Sequence, residues 1–122
     1  MDEAHLEGAR LYEAHLEDAS LDKAHLKYAR LDDAHLERAS LNGARLEGAR
    51  LDRTHLEHAI LNEAHLEGAS LSGAHLEGAY LLTATGLTQD QLDQSFGDEA
   101  TVLPKGLIRP EYERWPGASP LV

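Results

Sequence analysis

From Leu6 to Leu81 every fifth residue is leucine: Leu6, Leu11, Leu16, Leu21, Leu26, Leu31, Leu36, Leu41, Leu46, Leu51, Leu56, Leu61, Leu66, Leu71, Leu76 and Leu81. Two residues before each stands alanine, from Ala4 to Ala79, with Thr54 the one exception. The positions between are mostly polar. A five-residue step turns ~500° on an α-helix and scatters the leucines over every face. On a strand an odd step throws them alternately to the two sides. Only a backbone that turns a corner every five residues keeps all of them inside. The pattern predicts a solenoid with a leucine interior, lined by alanines at corners too tight for a larger side chain.

The residue before each leucine gives the number of corners per coil. Read every twenty residues, it forms four columns: His5, His25, Arg45, His65; Arg10, Arg30, Arg50, Ser70; His15, His35, His55, His75; and Ser20, Ser40, Ile60, Tyr80. Registers of ten or fifteen mix these types. The columns predict four pentapeptides per coil, about four coils, a roughly square section and cross-coil hydrogen bonding at ~4.8 Å. Gly8, Gly43, Gly48, Gly68, Gly73 and Gly78 stand two residues after a leucine, where a type II turn needs φ > 0. Asp18, Asp33 and other polar or charged residues at the remaining corners point to turns of another type.

The repeat fails after Leu81, where Gly86 takes the next leucine slot. Residues 1–82 are therefore read as the solenoid, and residues 83–122 as a C-terminal capping helix and tail. Thr88-Gln89-Asp90-Gln91 is a capping box opening a short helix through about Ser95, ending at Gly97, with Leu92 and Phe96 on its apolar side. Thr88, Leu92 and Phe96 are the expected cap residues, covering the open end as repeat arrays require. Leu103-Pro104-Lys105-Gly106 reads as a type I turn. A docking appendage centred on Tyr112 and Trp115 is the alternative role for the tail. The first coil begins close to Met1 and leaves edge amides unpaired, which points to a homodimer joined through the N-terminal end.

Composition narrows function without fixing it. The chain has 122 residues, no cysteine and a net charge of −11, so thiolate metal sites and disulfides are excluded, and direct nucleic-acid binding is disfavoured. No basic-then-apolar leader or membrane-length apolar run is visible, which sets a soluble, cytoplasmic protein as the expectation, with an unknown protein as partner and no membrane contact. No cofactor is expected. A filled interior and flat exterior leave no concave pocket, so the chain reads as a non-enzyme.

The run of Ala-x-Leu-x-x units resembles the pentapeptide-repeat proteins. So do Gly86-Leu87-Thr88, Asp98-Glu99-Ala100 and Leu103-Pro104-Lys105-Gly106-Leu107 in the tail. The resemblance implies an all-β right-handed quadrilateral β-helix with four pentapeptides per coil. The chain departs from the family in placing His, Arg or Ser before the central leucine, and its uniformity is that of a consensus-based design. For function the family implies a non-catalytic scaffold for protein–protein contact. One subgroup suggests an alternative, an acidic mimic of duplex DNA that binds DNA gyrase or topoisomerase IV. Residues 1–82 hold 16 acidic and 8 basic residues, a net −8. Over a column ~20 Å long that is within a factor of two of duplex charge density. The stripe of Arg10, Arg30 and Arg50 counts against it, as do the missing interrupting loops and central phenylalanines.

A second alternative is metal binding. His15, His35, His55 and His75 stack on one face beside Glu17, Glu37, Glu57 and Glu77, and imidazole and carboxylate are reasonable Zn²⁺ ligands. Side chains projecting in parallel from a flat face do not converge on one point, so the favoured reading is a solvated face of His–Glu pairs. On that reading stability shifts somewhere between about pH 5 and 7.5.

Overall fold

The computed structural model of the chain describes residues 2–110 and residue 115. Parallel backbone bridges join each residue before a leucine to the one twenty positions on: His5 to His25, Arg10 to Arg30, His15 to His35, Ser20 to Ser40, and so along to His65 with Thr85. Each rung is held from both sides. His25 N–H donates to Ala4 O at 2.8 Å, and its carbonyl accepts from Leu6 N–H at 2.8 Å. Four such rungs per twenty residues make a four-cornered parallel β-solenoid.

At the corners, each alanine amide donates back to the leucine carbonyl three residues before, as in Ala9 N–H to Leu6 O at 3.0 Å. The residue ahead of the alanine is left-handed whether or not it is glycine. The glycines lie at φ 67–69°, and ten non-glycine residues from Glu3 to Glu63, Asp18 and Asp33 among them, lie at φ 56–61°. The expected second turn type is therefore wrong for the polar corners from Glu3 to Glu63, which turn as the glycine corners do. A left-handed residue costs ~1–2 kcal/mol, and the corner and cross-coil hydrogen bonds hold it there. Thr83, which follows the last leucine of the repeat, is not left-handed.

The interior is leucine and alanine. From Leu21 to Leu81 every repeat leucine is at most 3% exposed. Leu6, Leu11 and Leu16, in the first coil, are only partly buried. Thr54, at an alanine position, is fully buried because its hydroxyl donates to Leu31 O at 2.7 Å.

The tail forms a fifth, interrupted turn of the coil as well as a cap. Thr85 pairs with His65, Phe96 with His75 and Val102 with Tyr80. Ser70 has no bridge partner in this last turn among the described residues. Helix α1 (Gln89–Asp93) stands between those rungs in the chain and is tied to the coil by Gln91 Nε2, which donates to Leu66 O at 3.0 Å and Ala69 O at 2.7 Å. Thr88 caps α1 through the reciprocal bonds with Gln91, and Leu92 is fully buried. The helix ends sooner than the sequence pattern suggests, with Gln94 as its C-cap. Phe96 therefore lies outside the helix, its ring stacked on His75 with centroids 4.8 Å apart. The second expected turn sits one residue later than anticipated: Leu107 N–H donates to Pro104 O at 3.4 Å, and Gly106, at φ 92°, takes the left-handed third position. Trp115 is 1% exposed, its Nε1 donates to Ser95 O at 3.0 Å, and its ring lies over Gly97. It is an anchor for the cap, which removes the appendage reading at that residue; Tyr112 lies outside the described residues.

Candidate functional site: the outer ladders

Because the coil repeats every twenty residues, each outer face stacks like on like. On one face the imidazoles of His15, His35, His55 and His75 lie 4.8 Å apart with planes within 6° of parallel, and Phe96 ends the stack. Each ring's Nδ1 meets the carboxylate two residues on: His15 with Glu17 at 3.2 Å, His35 with Glu37 at 3.3 Å, His55 with Glu57 at 3.3 Å and His75 with Glu77 at 3.6 Å. These are the His–Glu pairs of the solvated-face reading. The carboxylates also close on histidines of the neighbouring coil. One donor atom each from Glu37, His55 and Glu57 lie within 4.8 Å of one another, and so do those of Glu57, His75 and Glu77. The opposite face, two corners away along each coil, is less regular. His5 and His25 stack at 4.5 Å with planes 22° apart, and Arg45 interrupts the column before His65.

Other cross-coil pairs join residues twenty apart at the corners, or eighteen apart on the faces. Arg38 grips Asp18 through two bonds of 2.8 and 3.1 Å, and Arg53 grips Asp33 at 3.0 and 3.2 Å. Ser20 donates to Asp2 and Ser70 to Asp52 across coils, and Ser40 donates to Asp22 at 2.5 Å. Within the arginine stripe, Arg30 donates to the uncharged Tyr12 Oη at 2.9 Å, and the charge of Arg50 is partly offset by Asp32 at 3.5 Å and Asp52 at 3.7 Å. Ile60 and Tyr80, bridged across coils, line an open groove with His58, Asn62 and Gly78, and with Leu82, two residues further along the chain, they give an apolar strip whose members are each about 40% exposed.

These contacts tune the carboxylates. Glu17 is held below the usual carboxylate range first by its own backbone amide and then by His15; Glu7 is lowered likewise, by its own amide and then His5. The Arg38 fork lowers Asp18. A lowered folded pKa means the stabilisation is complete above the ordinary value of 3.8 for Asp18 and is lost as pH falls through the folded value. We expect Asp18→Asn, which suits the left-handed corner as well as aspartate does, to give a shallower fall of the thermal midpoint on acidification below that value. An acid limb as steep as that of the parent chain would show that the Arg38 fork contributes nothing.

A prism of stacked coils with polar ladders outside and leucine inside defines a β-solenoid repeat protein. The model for pentapeptide repeats matches residues 1–38, 19–57 and 49–81, and the chain belongs to that family. Its structure is similar to that of a pentapeptide repeat protein, Rfr23, from the cyanobacterium Cyanothece 51142, at 34% identity and TM-score 0.70, over 78% of this chain and 64% of that one. It thus spans somewhat less than two thirds of that protein. It is also similar, at 28% identity and TM-score 0.38 over 88% of this chain and 58% of the other, to HetL from Nostoc sp. strain PCC 7120, which is involved in heterocyst differentiation regulation. A pentapeptide repeat protein from the Arabidopsis thaliana thylakoid lumen matches at 22% identity and TM-score 0.39, over 75% of this chain and 68% of the other. Comparison with curated proteins gives no match. Among the described residues no helix is long and apolar enough to cross a membrane.

Proposed function

We propose that the chain is a non-catalytic scaffold that binds a protein partner on its outer faces, and that its coil winds right-handed, the sense favoured by parallel crossovers. The observation that carries this reading is the division of the side chains. The apolar bulk is locked inside, and the exterior is a set of rigid, flat ladders spaced by the coil. Such faces suit a large complementary surface better than a small substrate. With a net charge of −11, the fitting partner has a basic rim, and the strip of Ile60, Tyr80 and Leu82 supplies the apolar centre that interfaces use. Affinity capture from bacterial lysate tests this. A protein retained by the parent chain and lost with Ile60→Lys/Tyr80→Lys supports the scaffold. Equal recovery by both chains, or no specific recovery, removes it.

Duplex mimicry is the second reading, favoured by the net −8 over residues 1–82. The pairing of Arg50 with Asp32 and Asp52 weakens the stripe that counts against it. A gyrase supercoiling assay separates the two: inhibition by the parent chain would assign mimicry, and unchanged supercoiling would leave the scaffold.

A further inference from the structure

We propose that the histidine–carboxylate ladder holds a divalent transition-metal ion, with Glu57 as the central ligand. Three features of the ladder lead there. Each inner histidine faces two carboxylates: His55 Nδ1 bonds Glu57 at 3.3 Å, and Glu37 of the preceding coil brings a third donor atom within 4.8 Å of both. Glu57, His75 and Glu77 repeat the arrangement one coil on, so Glu57 belongs to both groups. Moreover, Glu37, Glu57 and Glu77 each meet an imidazole through Oε2 and keep a second oxygen, Oε1, that is closed off from solvent and has no hydrogen-bond partner. Oxygens that have lost water and gained no donor are the atoms a cation would satisfy. Finally, the imidazoles are fixed in place, stacked at 4.8 Å with planes 3° and 2° apart along His35–His55–His75.

The donor set selects the ion. One imidazole nitrogen and two carboxylate oxygens suit Zn²⁺ and its borderline neighbours. Mg²⁺ and Ca²⁺ favour all-oxygen shells, and a chain without cysteine offers no thiolate to a soft ion. Bonds of ~2.0–2.2 Å place tetrahedral ligand atoms about 3.3 Å apart. The His55–Glu57 pair already has that spacing, and rotation within the glutamate side chains closes the rest while the rings stay stacked. The ion takes the place of the Nδ1 proton. A neutral imidazole binds as the Nε2–H tautomer, the proton passing from Nδ1 to Nε2 through water with no net release; a protonated ring must first give one proton up. Water fills the remaining position, and the two carboxylate charges are offset.

The test is calorimetric titration of zinc chloride into the full chain at neutral pH, with ¹⁵N–¹H spectra of the histidine rings in parallel. The expected result is micromolar binding of one or two ions per chain, weakening on acidification, with His55 and His75 perturbed at Nδ1. Glu57→Gln, which removes a ligand from both groups, should bind at least tenfold more weakly, while His58→Gln, outside the ladder, should bind like the parent. No binding at millimolar zinc, unchanged affinity in Glu57→Gln, or perturbation at Nε2 would each overturn the proposal. The spectra of the parent chain decide the matter if Glu57→Gln fails to fold.

Discussion

Leu41→Ala lowers stability by ~2–5 kcal/mol, in the upper part of that range. Leu41 is fully buried in the second coil, with a coil on either side. In a helical core, neighbours can slide toward a vacancy and recover part of the loss. Here the walls are backbone, clamped to the coils on either side: Leu21 N–H donates to Ser40 O at 2.7 Å, and Leu41 N–H to Ile60 O at 2.8 Å. Collapse would break rungs on two coils, so the cavity persists. Leu6→Ala supplies the internal comparison, because Leu6 is only partly buried and lies in the first coil. It should cost clearly less. Urea unfolding followed by circular dichroism checks both. A midpoint for Leu41→Ala equal to the parent's, or a larger loss for Leu6→Ala, would contradict a rigid leucine-filled prism.

The solenoid was legible because its two periods are independent. The five-residue spacing of leucine places the core, and the twenty-residue recurrence of His, Arg and Ser predicts the very pairs that bridge, His15 to His35 and Ser20 to Ser40 among them. What propensity reasoning missed were the places where closure of the coil overrides local preference. Tyr28, Arg38 and Glu63 are left-handed although nothing in their side chains favours it. Phe96 suits the apolar side of a helix, yet an imidazole ring and an open rung, both belonging to the preceding coil, hold it in extended pairing. The second carboxylate at each inner histidine was also hidden. The Glu two residues after a histidine is evident in the sequence, whereas the contact from the coil before depends on how far the glutamate side chains lean along the column.

Gly86→Ala should destabilise the chain by about 2–4 kcal/mol, from left-handed strain together with overpacking. Gly86 lies at φ 78°, just after Thr85 makes the last rung on its face and before the chain departs into α1. A Cβ there would stand 2.4 Å from Glu67 Cγ and 2.6 Å from Glu67 N. The glutamate side chain can swing aside. The amide nitrogen belongs to a corner of the coil and cannot. The chain must therefore lift at the entry to α1, loosening Gln91 from the Leu66 and Ala69 carbonyls and drawing Leu92 out of the core. Gly8→Ala separates the two contributions, since Gly8 has nearly the same φ, 67°, and nothing within 4 Å of its Cβ. It should cost only ~1–2 kcal/mol, the strain that the non-glycine corners already carry. Thermal midpoints of the two variants measured side by side decide it. Equal losses would mean that the cap does not press on the Glu67 corner, and that the fifth turn is held by something other than close backbone approach at Gly86.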